Sequence, residues 1–67
     1  MTIYVNNEPR KLTAPTTLQD ILPAAGVQSV RGLAIAVNNQ VIARTTWNAY
    51  ALKAGDRITL IRASKGG

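Results

Sequence analysis

The chain has 67 residues, a formal net charge of +5 and 46% hydrophobic residues, and it contains neither Cys nor His. A chain of this length forms one domain with a thin core, and without Cys it has no disulfide or thiolate metal site. The acidic residues are Glu8, Asp20 and Asp56. These are too few and too scattered for a catalytic carboxylate pair or a metal cluster, so the composition argues against a self-sufficient enzyme.

The sequence contains no sign of a targeting or membrane segment. No charged segment followed by an apolar run opens the chain, and no apolar stretch approaches the length of a membrane span. We therefore expect a cytoplasmic protein that does not bind membranes. Its eight basic residues are dispersed, which favours a role in solubility over attraction to an acidic partner or a polyphosphate.

The N-terminal segment has the pattern of a hairpin. Residues 2–5 alternate polar and apolar side chains and predict a strand. Residues 6–9, Asn-Asn-Glu-Pro, predict a turn, because Asn tolerates left-handed backbone and Pro cannot donate a hydrogen bond. Residues 10–13 then predict a second strand.

A short helix follows. Pro15 and the next two residues open it, Thr17 can cap it, and Asp20 completes a capping box. Gly26 suits the position after its end, and Pro23 should kink or shorten it. The apolar residues of one helix face follow at spacings of three and four: Leu18, Ile21, Leu22 and Ala25.

The second half of the chain predicts three more strands. Residues 33–37 form a strand, Asn38-Asn39 a two-residue hairpin turn, and residues 41–43 the return strand. Trp47 and Tyr50 fall in a 3₁₀ turn or an ordered loop, with Trp47 packed in the core. Residues 53–56 predict a turn and residues 57–63 the last strand.

This element order predicts an α+β fold in which one short helix covers one face of a mixed five-stranded sheet. Short, uncrossed connections would place the first and last strands side by side. We expect a globular domain over residues 1–63 and a flexible tail over residues 64–67, since Ser64, Lys65, Gly66 and Gly67 offer no apolar side chain to bury.

Three features together resemble a known family. They are the stretch AVNNQVIARTTW at 36–47, the stretch LKAGDRI at 52–58, and the final Gly66-Gly67. In this combination the chain resembles the ThiS family, the sulfur carriers of thiamin biosynthesis, which have the ubiquitin-like β-grasp fold. The chain departs from the family pattern at Ala43, where the family often has Pro, and in its basic net charge.

The resemblance implies a role as a sulfur-carrying co-substrate rather than a catalyst. A ThiF-like enzyme would use ATP to adenylate the Gly67 carboxylate, a sulfur donor such as a cysteine desulfurase would convert it to a thiocarboxylate, and the thiazole synthase ThiG would receive the sulfur. The chain itself would bind no cofactor. Glycine suits such a tail because a backbone without Cβ can thread a narrow channel.

We also expect a docking surface near the tail. Thr59 and Ile61 should lie on the sheet face opposite the core, and Arg62 and Arg44 are further candidate partner contacts. Arg44 matches an Arg of the resembled family.

Three other functions stay open at this stage. Two use the same tail: the small subunit of molybdopterin synthase, and a protein modifier whose Gly67 is joined to lysine. The third is a basic nucleic-acid-binding module, suggested by the charge. Against the third, the chain has no basic run and few aromatic residues to stack on bases.

Overall fold

The computed structural model describes residues 1–13 and 16–62. Their strands form one sheet in the order β2-β1-β5-β3-β4, with β1 and β5 parallel and the other neighbours antiparallel. The strands are β1 (Thr2–Val5), β2 (Glu8–Lys11), β3 (Leu33–Val37), β4 (Gln40–Ile42) and β5 (Arg57–Arg62). The predicted α+β architecture is confirmed, including the first and last strands side by side.

Two pairs of adjacent asparagines close the two hairpins. Asn6 and Asn7 have φ of 50° and 71°, and Asn38 and Asn39 have φ of 52° and 70°. Positive φ at both central residues is the geometry of a type I′ turn, whose twist matches that of the flanking strands, and Asn accepts this backbone more readily than most residues.

The prediction of the first hairpin was partly wrong. Glu8 and Pro9, expected in the turn, lie in β2, and this strand ends at Lys11 rather than at residue 13. The turn needs only Asn6 and Asn7, so pairing resumes at once with Glu8 opposite Val5. Pro9 is accommodated because β2 is an edge strand, where a missing N–H need not cost a sheet hydrogen bond.

Helix α1 spans Leu18–Ile21 and has the predicted capping box. Asp20 N–H donates to Thr17 Oγ1 at 3.4 Å, and Thr17 N–H donates to Asp20 Oδ2 at 3.2 Å. Pro15, the predicted start of this segment, lies outside the described residues. The helix is short, as expected from Pro23, which has no N–H to continue the i to i−4 pattern.

The chain leaves this segment through a Schellman motif. Val27 N–H donates to the Leu22 carbonyl at 2.9 Å, and Gly26 N–H donates to the Pro23 carbonyl at 3.0 Å. Gly26 has φ of 84°, a left-handed conformation that glycine adopts without steric penalty. Gly26 thus ends the turns that follow the helix, but the predicted helix was too long, because α1 itself ends at Ile21 and Leu22 and Ala25 lie beyond it.

The core lies between the sheet and the layer that contains α1. Trp47 is 1% exposed and lies in a 3₁₀ helix, Arg44–Ala49, as predicted. Its Nε1 donates to the Ile42 carbonyl at 3.0 Å. The other residues of the buried cluster are Ile3, Val5, Leu18, Ile21, Leu22, Ile35, Val37, Leu52 and Ile58.

The predicted return strand at 41–43 is shifted by one residue, since β4 spans Gln40–Ile42 and Ala43 precedes the 3₁₀ helix. The last predicted strand, 57–63, is observed as Arg57–Arg62, and Ala63 lies outside the described residues. None of the helices formed by the described residues has the length and apolar character that crossing a bilayer requires.

Candidate functional site

The predicted site begins where β5 ends. This strand is the middle one of the five, with β1 on one side and β3 on the other. The chain therefore leaves the described part of the molecule, at Arg62, from the centre of the sheet. The predicted sulfur-carrying Gly67, and Gly66, Lys65 and Ser64 before it, lie outside the described residues.

The side chains of β5 alternate as the sequence predicts. Ile58 is 1% exposed and Leu60 is half-buried against the core, whereas Thr59 is exposed and Ile61 is 50% exposed. In the register between β5 and β3, Thr59 lies opposite Ala36 and Ile61 opposite Ala34. Residues directly opposite each other in a sheet project to the same face.

These residues belong to one surface on the side of the sheet away from the core, which we call the outer sheet face. On β4, Val41 lies opposite Ala36 and is 70% exposed. On β1, Tyr4 lies opposite Arg57 of β5. The outer sheet face is thus formed by Tyr4, Ala34, Ala36, Val41, Arg57, Thr59 and Ile61.

Apolar and basic groups occupy different ends of this face. Ile61 and Ala34 lie at the end from which the tail departs. Arg57 and Tyr4 lie toward the start of β5, where the Arg57 guanidinium carbon is 5.7 Å from the centroid of the Tyr4 ring. This separation is within the range of a cation–π contact. Between these ends, Ala36, which is 8% exposed, lies opposite Thr59 of β5.

Arg62, a predicted docking residue, projects to the other side of the sheet. It lies opposite Leu33 and continues the core-facing series of Ile58 and Leu60. Its guanidinium donates to the carbonyl of Ser29 at 2.8 Å and to that of Arg31 at 3.0 Å. Arg62 therefore holds the connection before β3 against the end of β5.

The structure thus brings together two of the four predicted docking residues, Thr59 and Ile61. Arg44 is exposed at the start of the 3₁₀ helix, outside the outer sheet face. Sequence reasoning did not assign Val41, Tyr4 or Arg57 to this face. Period-two alternation could have placed Val41 there, since Ile42 beside it faces the core, but the pairing of Tyr4 with Arg57 requires the β1–β5 register.

The described residues contain no cluster of three or more His, Cys, Asp or Glu side chains that could hold a metal ion. Within the same part of the chain no cavity is found.

Comparison with known proteins identifies related chains. The ThiS family model matches residues 3–67. The sulfur carrier protein ThiS of Escherichia coli K12 is 30% identical over 67 residues, which cover 100% of both chains. Since the similarity extends along the whole sequence, it includes the final glycines as well as the described domain.

Solved structures of a thiamine biosynthesis protein, ThiS of Geobacter metallireducens, share the fold. Its crystal structure superposes with a TM-score of 0.83 at 23% identity and full coverage of both chains. Its solution NMR structure gives a TM-score of 0.78 at 23% identity, covering 100% of this chain and 88% of that one. These similarities confirm the predicted ubiquitin-like β-grasp.

Proposed function

Because the chain belongs to the ThiS family, we propose that it carries sulfur for the thiazole ring of thiamin as a thiocarboxylate on Gly67. The observation on which this proposal rests is the exit of the chain from the central strand of the sheet at Arg62, followed in sequence by Ala63, Ser64, Lys65 and two glycines. The domain serves as a handle, and the chain end is the reactive part.

The carboxylate needs activation by a partner. A C-terminal carboxyl group has a reference pKa of about 3.5, so at neutral pH it is an anion and a poor electrophile. A ThiF-like partner would supply ATP, and the carboxylate oxygen would attack its α-phosphate and displace pyrophosphate. The acyl adenylate is then open to attack by the persulfide of a donor such as a cysteine desulfurase, with AMP as the leaving group. A thiol would next cleave the S–S bond of the acyl disulfide so formed, which releases the thiocarboxylate and leaves a disulfide between the thiol and the donor's cysteine.

The tail is long enough for a partner to act on the carboxylate while it binds the folded domain. Residues 64–67 span at most about 13–14 Å when extended. That distance lets the carboxylate enter a partner's active site while the folded domain stays outside. The same reach would serve the second partner, ThiG, which would take the sulfur from the thiocarboxylate.

Docking of the domain falls to the outer sheet face. Thr59 and Ile61 lie on this face beside the tail, and Val41 adds a second exposed apolar side chain. Arg44 remains a candidate contact from the 3₁₀ helix. Arg62 would act mainly by fixing the base of the tail, because its guanidinium is bonded to the Ser29 and Arg31 carbonyls.

Intact-mass analysis tests the proposal. The chain is incubated with ATP, a ThiF-like enzyme, a cysteine desulfurase and cysteine. We expect a mass gain equal to the replacement of one oxygen by sulfur. Deletion of Gly67 should abolish this gain, because the new terminal carboxylate would lie about 3.5 Å short of its position. The variant Ser64→Ala, which keeps the tail length, should retain it.

Two results would contradict the proposal. One is a wild-type chain that gains no sulfur although the enzymes process a known ThiS. The other is equal sulfur loading of the wild type and the Gly67 deletion. Recovery of the chain joined to lysines of other proteins would instead support a protein modifier.

A further inference from the structure

The acidic side chains of this chain lie away from the outer sheet face. All three of them, Glu8, Asp20 and Asp56, belong to the described residues. Asp20 caps helix α1 in the other layer. Glu8 lies opposite the core residue Val5, 3.9 Å from Arg10. Asp56 is 4% exposed.

The Asp56 side chain is also engaged by hydrogen bonds within the domain. Its Oδ1 accepts from Asn38 Nδ2 at 3.1 Å, and its Oδ2 accepts from Lys53 N–H at 2.8 Å. Because the Asp56 carboxylate is buried and hydrogen-bonded within the domain, it cannot contact a partner. No side-chain carboxylate of the chain is therefore presented on the outer sheet face.

Cations, in contrast, do occur there. Arg57 is exposed on this face, over the ring of Tyr4. By strand register Lys11, opposite Thr2, projects to the same side. The ring supports the guanidinium from one side and leaves its N–H groups free to meet an anion, with less rotamer freedom to lose on binding.

We infer that the outer sheet face docks on an acidic protein surface in which carboxylates border an apolar projection. The apolar projection would contact Ile61 and Val41, and a carboxylate would pair with Arg57. This inference rests on the proposed function, since the partner is the ThiF-like enzyme that activates Gly67. It assigns to part of the +5 charge a role in recognition, because complementary charge accelerates encounter and selects partners.

A protein fits this face better than a nucleic acid does. A polyphosphate backbone requires a row of cations, and base stacking requires free aromatic rings. Here two exposed side chains of the face are aliphatic, Ile61 at the end of β5 and Val41 on β4, level with Thr59. The ring of Tyr4 is already covered by Arg57.

A pair of matched variants tests the inference. Arg57→Gln and Gln19→Glu both lower the formal net charge by one, from +5. They act on opposite sides of the sheet, because Gln19 is exposed on helix α1 in the other layer. The Kd of each for a purified ThiF-like enzyme is measured by calorimetry at about 0.05 M and about 0.5 M salt, and thermal melts check that both variants fold.

We expect the wild-type Kd to rise at least about tenfold between the two salt concentrations. At low salt Arg57→Gln should raise the Kd about fivefold or more and weaken the salt dependence, and Gln19→Glu should change it less than about twofold. Equal effects of the two variants would overturn the inference. So would binding to duplex RNA or DNA that depends on Arg57 at the same protein concentrations.

The outcome is separable from that of the proposed function. Sulfur loading is measured by mass with the enzyme at saturating concentration. If Gly67 is loaded with sulfur but the Kd changes neither with salt nor in Arg57→Gln, the acidic partner surface is contradicted and the sulfur-carrier proposal is not. Absence of loading, with binding intact, would contradict the sulfur-carrier proposal and leave the docking chemistry supported.

Discussion

Asn6 Oδ1 accepts a hydrogen bond from the backbone N–H of Leu60 at 2.9 Å, joining residues 54 positions apart in the chain. Strand β1 ends at Val5, opposite Ile58, so the next part of β5 has no β1 residue beside it. The Asn6 side chain replaces the missing backbone acceptor. In the other hairpin turn, Asn38 Oδ1 accepts from Arg57 N–H at 3.0 Å.

The first asparagine of each turn therefore has a second role that the other lacks. All four have positive φ, so replacement by Gly relieves the same backbone strain at each. We expect Asn6→Gly to lower the free energy of unfolding by about 1–2 kcal/mol, because it leaves a donor on β5 without its partner. Asn38→Gly should cost more, because it also removes the Nδ2 donor to the buried Asp56 carboxylate. Urea denaturation followed by circular dichroism measures the change.

Asn7→Gly and Asn39→Gly are the matched controls. Neither side chain makes a hydrogen bond to any other described residue, so these variants should be neutral or stabilising by up to about 1 kcal/mol. If all four substitutions changed the free energy of unfolding equally, the side-chain hydrogen bonds to β5 would not contribute to stability. The backbone conformation alone would then account for the preference for Asn.

Asp56 provides a second prediction because its two carboxylate oxygens accept from different donors, Asn38 Nδ2 and Lys53 N–H. In Asp56→Asn one of these oxygens becomes an NH₂ group that faces a donor. We expect a loss of about 1–3 kcal/mol in the free energy of unfolding. The exposed Asp20→Asn, which keeps an acceptor for the cap, should cost less than about 1 kcal/mol. A smaller loss at Asp56 than at Asp20 would contradict this ranking.

Much of the fold follows from local patterns. Alternating side-chain character predicted β1, β3 and β5, and the paired asparagines predicted both turns, because each of these patterns spans only a few residues. The capping box at Thr17 was equally local. The prediction fails at Glu8 and Pro9 because Pro, which disfavours strand pairing in general, is tolerated on an edge strand.

The features that could not be predicted depend on contacts distant in sequence. The bond from Leu60 to Asn6 requires the parallel register of β1 and β5. Arg62 was predicted to dock together with Ile61, but neighbouring strand residues project to opposite faces. Its bonds to the Ser29 and Arg31 carbonyls depend on the path of a connection that has no periodic pattern.

Trp47 leads to a third prediction, about the core. It is the single Trp of the chain, and its Nε1 donates to the Ile42 carbonyl. Trp47→Phe removes this donor and leaves a cavity, so we expect a loss of about 2–4 kcal/mol in the free energy of unfolding. Tyr50→Phe, which alters a half-buried ring in the same segment, should cost less than about 1 kcal/mol. Thermal melts followed by circular dichroism compare the two, and equal losses would contradict the assigned role of Trp47.

The last prediction separates docking from folding along β5. Ile61 is 50% exposed on the outer sheet face, and Ile58 is 1% exposed in the core. Ile61→Asp should therefore change the free energy of unfolding by less than about 1 kcal/mol, whereas Ile58→Asp should leave little folded protein because it buries a charge without a partner.

If the outer sheet face docks on the activating enzyme, Ile61→Asp should slow sulfur loading of Gly67 at limiting enzyme concentration, since it places a carboxylate where an apolar group and acidic residues must approach. Gln19→Asp adds the same charge at an exposed position on helix α1 in the other layer and should load at the wild-type rate. A folded Ile61→Asp that loads as fast as Gln19→Asp would show that the partner does not contact this face.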